Sequence, residues 1–152
     1  MLSTSMIKLI DDNKMGLVAS VDSNGSPNLS PKGTFVVLDS EFLMFSEIRS
    51  PNTLKNIQQN PEVEINFVDP FSRKGVRVKG ITRIIEKTDG EFNQLFHYFE
   101  QWGHLAKLIR HIIIVKITRA RTMCSPIYDL GADEGELIKT WSEKYRQIHN
   151  LS

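Results

Sequence analysis

Polar and apolar positions alternate through most of the first two thirds of the chain. The strictest case is Glu62-Val63-Glu64-Ile65-Asn66-Phe67, whose period of two places Val63, Ile65 and Phe67 on one face of a half-buried strand. Extended patterns over 15–22, 27–38, 41–46, 62–68, 76–86 and 112–119 predict six strands. Asn24-Gly25 supplies the positive φ angles of a tight hairpin between the first two, and Asp39-Ser40 turns the chain again, so the first third reads as a meander interrupted at Pro31-Lys32-Gly33. Helical spacing replaces alternation in four places. Met6, Ile7, Leu9 and Ile10 share one side of a short helix with Ser3, Thr4 or Ser5 as cap. Ser50-Pro51 opens a second helix and Asn60-Pro61 stops it. Thr88 to Glu91 has capping-box spacing ahead of Phe92, Leu95, Phe96 and Phe99, and Leu137, Trp141, Tyr145 and Ile148 form a stripe over 133–148. Short antiparallel strands with a few covering helices predict a mainly β (α+β) barrel with its helices outside.

Composition narrows the function classes. At 152 residues the chain is the size of one domain, spanning 1–152, and its 40% hydrophobic and 24% charged residues exclude disorder and coiled coil. With 19 Lys+Arg against 18 Asp+Glu the net charge is +1, which gives no global attraction to nucleic acid or anionic lipid. No signal-peptide pattern or membrane-length apolar run is visible, so a cytoplasmic protein is expected. Cys124 has no partner for an internal disulfide and reads as a buried, inert thiol, and His97, His104, His111 and His149 lack metal-ligand spacing, so no metal is expected. A P-loop, a dinucleotide-binding glycine fingerprint and a nucleophile elbow are all missing.

A local anion site remains. The start of the helix after Ser50 offers backbone N–H groups and partial positive charge, and Arg49, Ser50, Asn52 and Thr53 bring a guanidinium, hydroxyls and an amide to the same place. Thr53 and Asn56 share a helix face that looks outward; the alternative is an ordinary capped helix with Arg49 solvated. Arg77 and Lys79 lie two apart on one strand face, next to Gly80, where another backbone or a flat ligand can approach closely. Their alternative is a solvated outer face with a bulge at Gly80. At Ser30-Pro31-Lys32-Gly33 a proline and a glycine free backbone groups for a ligand's polar ring edge.

Taken in order, Ser30-Pro31-Lys32-Gly33-Thr34-Phe35, Phe45-Ser46, Asn52-Thr53-Leu54-Lys55-Asn56-Ile57, Asn60-Pro61-Glu62-Val63 and Gly75-Val76-Arg77-Val78-Lys79-Gly80 resemble the pyridoxamine 5′-phosphate oxidase-like family of FMN-binding split barrels, over residues 10–86. The resemblance implies a homodimer of six-stranded split barrels with FMN in a cleft between subunits. It places Ser30, Pro31, Lys32 and Gly33 at the flavin ring edge and Ser46 near the ring or ribityl chain. Arg49, Ser50, Thr53 and Asn56 would lie about the phosphate, and Arg77 and Lys79 would approach the phosphate or the ring from the neighbouring strand. The chain departs from the oxidases themselves at Pro51-Asn52-Thr53, where they have a Ser-Arg-Lys group, and the tail from Trp141 to His149 has no counterpart of their Arg-x-His segment. The expected function is FMN-dependent oxidation or reduction of a small molecule, which requires no side-chain acid or base. A flavin- or ligand-binding carrier or sensor without turnover is the alternative, and a barrel binding single-stranded nucleic acid is the weakest reading.

Overall fold

The computed structural model describes residues 1–152. The helices are α1 (Thr4–Asn13), α2 (Pro51–Gln59), α3 (Phe92–Phe96) and α4 (Glu134–His149), with 3-10 segments at His97–Leu108 and Pro126–Leu130. The strands are β1 (Gly16–Val21), β2 (Pro27–Lys32), β3 (Phe35–Val37), β4 (Phe42–Glu47), β5 (Glu62–Asp69), β6 (Lys74–Glu86) and β7 (His111–Cys124). All seven join one antiparallel sheet in the order β2-β1-β5-β6-β7-β4-β3.

The count of seven corrects the expected six. Residues 27–38 do not form one interrupted strand: β2 pairs with β1 and β3 pairs with β4, so consecutive segments lie at opposite edges of the sheet. Pro31 has no N–H for a ladder, and Gly33 bends the chain away from β1 before pairing resumes at Phe35. The sheet therefore curls into a split barrel whose two edges are joined by the residues between Lys32 and Phe35. The hairpin before it forms as read, although Gly25 alone takes a positive φ, of 78°; the Asp22 carboxylate holds the turn by accepting from Asn24 and Ser26 N–H.

One core fills the barrel. Phe35 packs edge-on to Phe67, with ring centroids 4.7 Å apart, and against Phe45 at 5.3 Å. The alternating Val63, Ile65 and Phe67 point into it as their period requires, and α1 closes one end by burying Ile10. A second core lies on the opposite side of β4 and β7, where Met44, Ile112 and Ile114 meet Phe92, Phe99 and Ile109. Burial on both faces explains why Ile112 to Val115 is continuously apolar. The expected capping box does not form, because Asp89 accepts from Glu86 N–H and Glu91 pairs with Arg83. Ser3 caps α1 and Asp133 caps α4. β7 runs five residues past the expected end, to Cys124, which is exposed at the strand's end and not buried as expected, and its pairing with β6 shifts at Lys79/Gly80, where Thr118 is the extra residue of a bulge.

Candidate functional site

Where the chain crosses from β2 to β3, the end of β4 and the start of α2 face it across a cleft of about 200 Å³. Ser30, Pro31, Lys32 and Gly33 form one wall, and Ser46, Arg49 and Ser50 form the other, with Thr34, Ile48 and Leu105 completing the lining. Seven residues singled out in the sequence thus meet in one place. They meet because the β3–β4 hairpin carries the chain back beside the break it started from: Thr34 Oγ1 lies 2.6 Å from Ser46 Oγ and accepts from the Ser46 N–H at 3.2 Å.

Lys32 is the buried charge in the cleft wall. It is only 8% exposed, and its ammonium donates to Ser30 Oγ at 2.5 Å. Burial lowers its pKa, against a smaller opposing pull from the Glu47 carboxylate. It takes part in no ion pair. A buried ammonium with no carboxylate in ion-pair contact costs free energy unless something electron-rich sits against it. Arg49, by contrast, is exposed at the rim.

Sequence reasoning missed Glu47. This side chain is 3% exposed and accepts from Ser50 N–H at 2.7 Å, from Ser50 Oγ at 3.3 Å and from His111 Nδ1 at 3.2 Å. Burial pushes its carboxyl pKa up, but the bonds from Ser50 and His111 outweigh it, and the net displacement is downward. The Ser50 N–H is therefore held by the chain itself. No side chain caps α2, so the backbone N–H groups expected at its start are left without a side-chain acceptor, with Arg49 and Lys32 as the cations of the cleft. A lone glutamate at a strand end has no periodic signature, and nothing in its neighbours marks it.

The remaining candidates lie elsewhere. Thr53 and Asn56 face inward, not outward as expected: they are 1% and 4% exposed. Asn56 Nδ2 donates to Ser20 Oγ at 3.1 Å, and Asn28 Nδ2 reaches Thr53 Oγ1 at 3.4 Å, so the pair fastens α2 to β1 and β2. Arg77 and Lys79 do share a face of β6, but it is the outer face of the sheet, and both pair with Glu64. Gly80 allows the close approach expected of it: the approaching group is the backbone of Lys116 in β7. No group of three or more metal-ligating side chains is present, and no helix is long and apolar enough to cross a membrane.

These features define a split-barrel protein with a cleft at the joint of its two sheet edges. The model of the family described as pyridoxamine 5′-phosphate oxidase matches residues 4–124, and the chain belongs to that family. Among solved structures it is similar to HupZ of Group A Streptococcus, at 26% identity over 82% of this chain and 96% of that one, with a TM-score of 0.68. An FMN-binding protein from Syntrophomonas wolfei shares the fold at 13% identity, covering 79% and 84% of the two chains with a TM-score of 0.66. HutZ, the haem storage protein of Vibrio cholerae, shares it at 19% identity, 81% and 94% coverage and a TM-score of 0.62. No curated protein matches the chain in sequence.

Proposed function

We propose that the protein binds FMN in the Ser30–Ser50 cleft as a homodimer and uses it to oxidise or reduce a small molecule. The observation that carries this reading is Lys32, a buried ammonium at a cleft wall with no ion-pair partner. Such a group fits the electron-rich edge of an isoalloxazine ring, where positive charge tunes the cofactor. Bound FMN would supply the hydride or electron chemistry. Lys32 would hold its proton at Nζ and orient the ring edge together with Ser30, Ser46 would offer its hydroxyl, and Arg49 would take the phosphate. The cleft volume is below the roughly 300–1,000 Å³ of complete ligand sites, which supports a second copy supplying the missing wall.

Arg49→Ala tests the phosphate assignment. Losing charge-assisted bonds worth about 1.5–3 kcal/mol each should weaken FMN by tenfold or more while leaving riboflavin unaffected. Equal losses for both ligands, or none, would put the phosphate elsewhere. Light scattering should give about twice the chain mass, and a monomer that still binds flavin would refute the shared cleft. The second reading is carriage without turnover. The Vibrio cholerae relative that stores haem extends that reading to a second ligand. An absorbance spectrum of the purified protein separates flavin from haem, and anaerobic bleaching by NADH or NADPH separates turnover from carriage.

A further inference from the structure

The outer face of the sheet carries a second concentration of charge that shares no residue with the cleft. Register sets Arg77 directly opposite Arg121 and Lys79 directly opposite Arg119, and all four side chains are exposed. Like charges in such positions destabilise a sheet. One carboxylate serves them: Glu64 on β5, with Oε1 3.1 Å from Arg77 Nε and Oε2 3.2 Å from Lys79 Nζ. Arg119 and Arg121 make no ion pair and no side-chain hydrogen bond. An excess of three positive charges therefore sits on one small surface of a chain whose net charge is +1.

Beside this array the sheet opens. Beyond the bulge at Thr118 lies a groove of about 450 Å³ whose wall carries Glu62 and Glu64 against the single cation Lys79, so the excess of positive charge is confined to the paired rows of β6 and β7. We propose that this face binds a small molecule bearing two oxyanion groups, carboxylate or phosphate, whose body spans the two cation rows. One group sits between Arg77 and Arg121, where two guanidinium forks can each donate in bidentate fashion, and the other between Lys79 and Arg119. Positions two apart on a strand are about 6.7 Å apart, which sets the separation of the two anions. Glu64 holds Arg77 and Lys79 extended between ligands. Single-stranded nucleic acid is disfavoured because the rows Asn66–Arg77–Arg121 and Glu64–Lys79–Arg119, with Leu17, Ala19 and Leu29 beyond them, contain no aromatic ring on which a base could stack.

Calorimetric titration of the full-length protein, as purified, tests this with orthophosphate, adipate and fructose 1,6-bisphosphate as probes. The expected result is that adipate or the bisphosphate binds at least tenfold more tightly than orthophosphate, and which of the two binds better tells carboxylate from phosphate recognition. An R119A/R121A double variant should lose tenfold or more of that affinity while keeping its melting temperature and its bound chromophore. The proposal is overturned by equal affinity for one-anion and two-anion probes, by undiminished binding in the double variant, by tighter binding of a single-stranded oligonucleotide, or by a double variant that turns monomeric with its anion affinity intact. Failure of the flavin reading would appear separately, as a purified protein without flavin absorbance whose anion titration is unaltered.

Discussion

Glu47→Ala is expected to destabilise the protein by about 3 kcal/mol, because it strands the half-buried Ser50 N–H and removes the acceptor shared by Ser50 Oγ and His111. Urea unfolding followed by tryptophan fluorescence would measure it. Acid should expose the same interaction. The carboxyl pKa is lowered in the folded chain from its ordinary 4.5, so the unfolded chain binds the extra proton. Its stabilising contribution is complete above 4.5 and is lost as pH falls through the lower folded value. Glu47→Gln, which cannot ionise, should flatten that part of the stability curve. Identical acid unfolding in wild type and Glu47→Gln would show that the carboxylate does not hold the cleft wall in place.

Gly80→Ala should cost about 2–3 kcal/mol. A Cβ at this position would meet the Lys116 carbonyl oxygen at 2.7 Å and overlap Val115 Cγ1. A carbonyl fixed in the β6–β7 ladder has no room to yield, so relief requires the two longest strands to part at the bulge. Gly33→Ala is the matched comparison: its Cβ would find nothing within 4 Å, and its melting temperature should stay close to wild type. Equal effects at both positions would mean that β7 tolerates a methyl group at its closest approach.

Much of the fold was legible because local rules and tertiary packing agree. Pro51 and Asn60-Pro61 bound α2 as their chemistry demands, and Val63, Ile65 and Phe67 face the core. Where local patterns are silent, expectation and structure part. Phe35 to Val37 continues the extended pattern of Pro27 to Lys32, and only pairing partners distant in sequence show that the two segments belong to opposite edges. The end of β7 escaped notice because Arg119 and Arg121 alternate with residues that give no apolar face to detect. Seven of the cleft residues were recognisable from their order along the chain. The inward turn of Thr53 and Asn56 was not, since two polar residues three apart on a helix read as a solvated face until Ser20 and Asn28 are placed against them.

Because Lys32 and Phe35 end one sheet edge and begin the other, the cleft and the seam of the barrel are mechanically the same object. The two intervening residues tie β2, paired to β1, to β3, paired to β4, so a displacement of this one cleft wall would bear on both edges of the sheet at once.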